Sequence, residues 1–516
     1  MHPTEPPEPT EPPEPAAPPG AVSRDRDRDR EGTLRADAVG VKDLVFFVLS
    51  AAAPLTVMAG FSALAFMLGG VAAPSGYLIA GAVFALFAVG FTAMSRHMRN
   101  SGAFYTYISR GLGPVAGAGA ALVAYLAYAL GQIGFAAAAG LFASDTLRVL
   151  TGIKVPWQVC TVALALLIAL LSYRKVDLGA RVLALLLTAE IAILLVLAVS
   201  VLLQGGHEGL TAQSFDPTRL MTPGIAGLFV ITFVVYIGFE QTAIYSEEAR
   251  DARRTVPRAT HLSVGILAVL YTFVSWIILV AAGPHRLTEM LAKDPAGLVF
   301  DLNTEYVGST MTSVMRLLIV TSFLAGVLAL QNAGSRYLFA LGRDGVLPAA
   351  FGRTDERTQT PSVAGLVHTL LVIAAVISFG LTSLDPYTQI VVWTNTPTLV
   401  GILLLEVATS VAVIRYLGRH RSDVTLWQRL IAPALAAILL ATVAVLVIAK
   451  MSLLTGIGTT AGNALVLSPL LAGLLAGCAR ALWLRTARPH TYLRLTNGGD
   501  TGTDAEGSAP TSPTMA

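Results

Sequence analysis

Apolar residues recur along this chain in long windows separated by short polar stretches, and each window is near the ~20 residues needed to cross ~30 Å of hydrocarbon. The windows fall at residues 44–69, 76–95, 115–143, 157–173, 178–203, 223–246, 260–283, 313–340, 362–381, 388–414, 430–449 and 463–484. Backbone groups in lipid must be satisfied within the segment, so these windows predict helices. The short alternating pattern of a membrane barrel is absent. The expected fold is an all-α polytopic membrane protein with about twelve transmembrane helices.

Both ends break the pattern. Thr4 to Pro15 reads TEPPEPTEPPEP, and the alternating Arg24–Arg30 run with aspartates is self-neutralising. Proline withholds donors and this composition offers nothing to bury, so residues 1–40 are expected to be a disordered tail. With no apolar core or small-residue cleavage site in the first thirty positions, the stretch does not read as a signal peptide. Residues 486–516 are expected to be a second disordered tail, plainest from Asn497 onward where Gly, Thr, Ser and Pro dominate. The apolar membrane domain is then expected over 41–485.

Composition agrees. Of 516 residues, 54% are hydrophobic and 13% charged, with a mean hydropathy of +0.67. Soluble chains carry roughly 25% charge, so lipid must solvate most of this surface. The net charge of +3 is too small to imply a nucleic-acid partner. Cys160 and Cys478 stand alone and read as small hydrophobes. Lys and Arg orient the bundle: one set of loops carries eighteen, including Arg99, Arg174, Lys175, Arg357 and Arg421, and the opposite set carries Arg148, Lys154, Arg219, Arg286, Lys293 and Lys450. Positive residues stay inside, so both termini are expected in the cytoplasm, with the plasma membrane as the expected location.

Two crossings are interrupted. The first contains Pro54 and Gly60, the sixth Gly238 and Glu240. Helices broken at the same place in two five-helix halves point to a transporter binding site. No residue-level repeat supports the pairing, which rests on position. Unwinding frees amides that suit a carboxylate and carbonyls that suit an ammonium, the two charged groups of an α-amino acid. The stretch Ala53, Pro54, Leu55, Thr56 and Val57 supplies the amide cradle, which runs from Leu55 to Ala59. The carbonyls of Val235, Tyr236 and Ile237, beside Gly238, supply the ammonium site. An ordinary proline kink is the competing reading of Pro54. Among aromatics at this depth (Tyr125, Tyr128, Phe233, Tyr236, Phe239 and Trp393), Tyr236 and Phe239 flank the break and are expected against the substrate.

Ionisable groups inside a membrane are costly, ~3 kcal/mol at its centre, and so are functional candidates. Glu240 either binds substrate or caps the second half-helix. Glu190 sits among Leu, Ala and Ile, where desolvation disfavours its charge, as a proton-coupling carboxyl requires; a structural pair with an interhelical donor is the alternative. Arg316 is expected to snorkel to the outer interface. No partner for Glu406 is visible in the sequence. Enzyme and channel readings lack support. The eight histidines show no HExxH spacing, no GxGxxG or GxxxxGK[ST] occurs, and there is no filter motif, so neither metal nor cofactor is expected.

Three segments resemble the amino acid–polyamine–organocation (APC) superfamily of permeases. Ser101-Gly-Ala-Phe-Tyr-Thr-Tyr-Ile-Ser-Arg-Gly-Leu-Gly-Pro114 is similar to its Gly-Gly-x-Tyr-x-Tyr signature. Tyr236-Ile-Gly-Phe-Glu240, continuing through Glu247, Glu248 and Pro257-Arg258, resembles its sixth-helix signature and the loop that follows. Asn332 to Arg336, then Arg343-Asp-Gly345 to Pro348 and Thr360-Pro361, resembles the end of its eighth helix. The resemblance implies a LeuT-like five-plus-five inverted repeat with discontinuous helices 1 and 6, and substrate held between helices 1, 3, 6, 8 and 10. It implies alternating-access transport of amino acids or amines, coupled to protons or by exchange. Ala53-Pro54-Leu55-Thr56 replaces the family's glycine-rich run in helix 1, and Glu190 falls where some proton-coupled members carry lysine. The expected function is an amino acid permease, the alternatives being a polyamine or organic-cation carrier or exchanger, or a non-transporting sensor with the same fold.

Overall fold

A computed structural model describes residues 40–97, 103–173, 180–221, 223–244, 249–355, 360–419 and 424–496. Residues 1–39 of the tail expected over 1–40, the end from 497, the signature residues Ser101, Glu247 and Glu248, and Arg99, Arg174, Lys175, Arg357 and Arg421 lie outside these. Among the described residues there are helices and no strands. The chain is thus an all-helical polytopic membrane protein. The first crossing is split into α1 (Val41–Ala52) and α2 (Ser62–Gly69), followed by α3 (Ala73–Ser95), a short α4 (Ala103–Leu112), α5 (Pro114–Thr151), α6 (Trp157–Tyr173) and α7 (Ala180–Gln204). A second split crossing comprises α8 (Ile225–Val234) and α9 (Gln241–Ile244). After it come α10 (Ala252–Ala282), α11 (Ser309–Arg343), α12 (Ser362–Gly380), α13 (Val391–Arg419), α14 (Ala432–Ala449), α15 (Thr460–Ala487) and α16 (Pro489–Thr496).

Nine of the described helical stretches are long and apolar enough to span a bilayer. One of them, Val41–Ser95, has 55 residues. As one rod it would run roughly 80 Å, so it must cross twice. The shorter apolar helices Trp157–Tyr173 and Ile225–Val234 complete the dozen windows of the hydropathy pattern.

Local chemistry sets the helix ends. Asp43 accepts from the Gly40 N–H at 2.9 Å, opening α1. Pro114 starts α5 where its missing N–H costs nothing, after Gly113 turns at φ 105°. Asp385 accepts from the N–H groups of Tyr387 (3.0 Å) and Thr388 (2.6 Å), starting the π turn Pro386–Ile390 that leads into α13. Sequence reading put the second tail at 486, but α16 extends the ordered chain to Thr496. Leu495 is fully buried and its carbonyl accepts from Ser109 Oγ at 2.6 Å, which pins α16 beneath α4.

Helices divide into inner and outer groups. The apolar windows of Val41–Ser95, α5 and α13 are about three-quarters buried, whereas that of α15 is 22% buried. Outer helices show leucines to the surroundings, such as Leu203, Leu381 and Leu465. Such a belt is what lipid solvates. The centre of the bundle is α5, rich in Gly and Ala. Gly119 meets Leu474 and Cys478 of α15, Gly131 meets Thr398 and Gly134 meets Thr394 of α13, and Gly140 meets Thr161 of α6, with no room for a methyl group at Gly119, Gly134 or Gly140. Small residues permit backbones to approach this closely.

Candidate functional site

Both interrupted crossings are broken, each for a reason visible in its residues. Proline disfavours helical geometry in the residue before it, and Ala53 adopts the left-handed region instead, with φ 46° and ψ 69°. For a non-glycine residue this costs about 1–2 kcal/mol. Beyond it the chain winds through a π turn, Thr56–Phe61. The Leu55 N–H points at Glu190 Oε2 at 3.5 Å, and the Thr56 N–H donates to Ser322 Oγ at 3.2 Å. Ser322 in turn donates to Glu190 Oε2 at 2.7 Å. Val57 N–H returns to the Ala53 carbonyl at 3.1 Å. The amides expected to be a vacant carboxylate cradle are therefore held by α7 and α11, and Glu190, 4% exposed, has the interhelical donor that its structural reading requires.

The second break is closed from within. Residues 235–240 form successive turns, and Gly238 has φ 120°, which a side chain would not tolerate. Glu240, fully buried, accepts from the Gly238 N–H at 2.8 Å through Oε2 and from the Tyr128 hydroxyl through Oε1. Both oxygens are thereby committed, which favours the capping reading of this residue. Tyr128 stacks on Tyr337 of α11, their centroids 5.4 Å apart.

A cavity of about 30 Å³ lies between the two breaks. Its walls come from Ala51 and Ala52 of α1, Gly131 and Phe135 of α5, Gly326 and Leu330 of α11, and Asn395 and Thr398 of α13, with Val234, Val235 and Ile237 from the second break. These elements are the ones that the family resemblance assigns to substrate. The space between these walls admits roughly one or two waters. Of the residues expected at the site, Val235 and Ile237 line this space. Phe233, Tyr236 and Phe239 do not: their rings pack on Phe84 of α3, and the Tyr236 hydroxyl donates to the Tyr77 carbonyl at 2.9 Å. The expectation that Tyr236 and Phe239 face substrate is corrected here, because the turns at 235–240 rotate them onto α3. Leu55 and Val57 are fully buried and lie beyond the cavity.

The walls carry acceptors without donors. Among the described residues no hydrogen bond falls on the Val235 or Ile237 carbonyls, while Tyr236 O accepts a long bond from Phe239 N at 3.4 Å. Asn395 was missed by a sequence search that looked for charges. Its Nδ2 donates to the Val391 carbonyl at 2.9 Å, which fixes the amide orientation, and Oδ1 is buried without a partner. No Lys or Arg lines the cavity.

Other polar groups at depth have structural employment. Arg316 does not snorkel: it pairs with Asp145 of α5 and lies 4.3 Å over the Phe300 ring. Trp393 Nε1 donates to the Thr455 carbonyl at 2.8 Å, and Tyr125 meets His368 of α12. That histidine, fully buried, was unremarkable in a search for metal spacing. Its Nε2 lies 2.6 Å from Gln132 Oε1, Gln132 Nε2 donates to Gln331 Oε1 at 2.8 Å, and Gln331 Nε2 donates to Thr369 Oγ1 at 2.9 Å. This network ties α5, α11 and α12 together. No group of three or more His, Cys, Asp or Glu that could hold a metal occurs among the described residues.

Comparison with known proteins places this geometry. The profile of the Amino acid permease family matches residues 43–492. The branched-chain amino acid permease BcaP of Lactococcus lactis subsp. cremoris is 28% identical over 325 residues, which are 58% of this chain and 66% of that protein. The low-affinity putrescine importer PlaP of Escherichia coli K12 is 25% identical over 304 residues, 56% of this chain and 64% of its own length. The vacuolar cationic amino acid transporter 2 of Arabidopsis thaliana is 31% identical over 206 residues, 39% of this chain and 30% of that one. The matched segments thus span less than two thirds of each of these relatives.

Proposed function

The chain belongs to the amino acid permease family, and from that premise we propose that it is a secondary transporter for amino acids working by alternating access around its two helix breaks. The observation that carries this reading is the small cavity between those breaks, walled by residues with unpartnered acceptors. An ammonium would meet Asn395 Oδ1 and the carbonyls of Val235 and Ile237. A substrate carboxylate would compete with Glu190 for the amides of Leu55 and Thr56. Protonation of Glu190 weakens its hold on that cradle, giving this residue a part in admitting substrate. The reading includes a LeuT-like five-plus-five repeat, a plasma-membrane location and both termini in the cytoplasm, the last supported by the distribution of Lys and Arg.

A second reading, a polyamine carrier, is favoured by one feature: Glu190, Glu240 and Glu406 are buried near the middle of the bundle while no basic residue lines the cavity. Uptake of labelled leucine and of labelled putrescine, each competed by the other, separates the two. Leucine uptake insensitive to putrescine supports the amino acid reading; putrescine uptake insensitive to amino acids replaces it. If Asn395 reads the amine, Asn395→Leu lowers uptake about tenfold or more, the loss of one hydrogen bond to a charged group (~1.5–3 kcal/mol).

A further inference from the structure

Three carboxyls lie deep in the bundle, and their surroundings differ. Glu190 has Ser322 and Leu55 as donors; Glu240 has Gly238 and Tyr128. Glu406, on α13, is fully buried, and neither of its oxygens has a hydrogen-bond partner. One turn onward on the same face, Thr409 Oγ1 and Ser410 Oγ are also buried without partners. A native fold seldom leaves three neighbouring side chains unsatisfied, and such a cluster marks an unseen small ligand or a functional role.

The cavity between the breaks is not lined by Glu406. Among the described residues no cation pairs with it: the charged group that acts on it is Glu240, another carboxyl, with Tyr128 also within electrostatic reach. Other ionisable groups on the packed elements have different company. His97 and Tyr416 meet each other, Tyr77 meets Tyr271, and Arg480 of α15 bonds the carbonyls of Gly345 and Val346. Tyr107 lies against Phe91. An ionised carboxylate with neither donor nor cation in this setting costs several kcal/mol.

We propose that Glu406 holds a proton in this form and releases it when the side of the bundle bearing the basic loops opens, moving one proton with each substrate. This rests on the permease reading above. The balance is simple: the carboxylate takes a proton from water on the outer side, an O–H bond forms, and that bond breaks to water on the other side. Glu240 has two donors and Glu190 has Ser322 and Leu55, so the deep carboxyl left without a partner is the one on α13.

The test uses the full chain in vesicles containing a trapped pH-sensitive dye, with the membrane potential clamped to zero. Labelled leucine and putrescine are the probes, and counterflow and accumulation are measured separately. A one-unit acid-outside gradient should concentrate the transported probe about tenfold in the wild type, with internal acidification, as one coupled proton dictates. In Glu406→Gln the accumulation ratio should fall to about one while counterflow persists, and Glu406→Asp should restore accumulation. Full accumulation by Glu406→Gln, or substrate movement without protons in the wild type, overturns the proposal. So does loss of counterflow in Glu406→Gln, which would make the carboxyl part of transport itself. Absence of wild-type counterflow for both probes defeats the permease reading and this proposal together.

Discussion

The two breaks reach similar ends by opposite means. The first relies on a strained alanine before a proline, and its amides are held by side chains from two other helices, Glu190 of α7 and Ser322 of α11. The second uses a glycine at φ 120°, and its cap comes from two residues further along the same chain, with Tyr128 as a single outside contact. The first break is therefore a joint between helices, while the second is largely self-contained. Any shift of α7 or α11 is felt at once by the first; the second can move as a unit on α5.

Substitutions can break or sharpen this contrast. The largest effect is expected from Gly238→Val, which forces a β-branched side chain into a forbidden backbone region at a cost of about 1–3 kcal/mol. Uptake at equal membrane expression should fall between about tenfold and a hundredfold. Glu240→Gln leaves one acceptor for two donors and removes a charge-assisted bond, so uptake should drop about tenfold, with a lower unfolding temperature in detergent. Ser322→Ala tests the joint: Thr56 N–H and Glu190 each lose a partner, and stability should fall by about 1–3 kcal/mol. Its effect should be non-additive with Glu190→Gln and additive with Glu240→Gln, since only the first pair shares a network. The smallest change is Ala53→Gly, which relieves the left-handed strain and should raise stability by about 1 kcal/mol at most. A clear loss of stability there would show that the first break does not depend on backbone strain.

Much of this architecture was legible because lipid demands long apolar helices. The window at 157–173 coincides with α6, and Pro54 and Gly238 mark both breaks through their own backbone chemistry. The direction of side chains around the second break was not legible. Where nearly every position from Gly227 to Phe239 is apolar, no periodicity says which face meets α3 and which meets the cavity, so Tyr236 and Phe239 were placed against substrate. The partners of Glu190 were equally hidden, since Ser322 lies 132 residues away. Asn395 escaped because an uncharged amide gives a weak hydropathy signal, although a buried one still needs partners. The helix after 488 was obscured by its polar sequence; what orders it is the contact of Leu495 with α4.

The glycines of α5 bear on how the bundle can move at all. Where glycine brings backbone against backbone, as at Gly140 with Trp157 of α6 and at Gly477 of α15 with Ala118, sliding would meet a steric penalty. Under the proposed alternating access, tilting would be the freer motion: segments freed by their missing turns would swing like short levers, with α5 as the post on which they pivot.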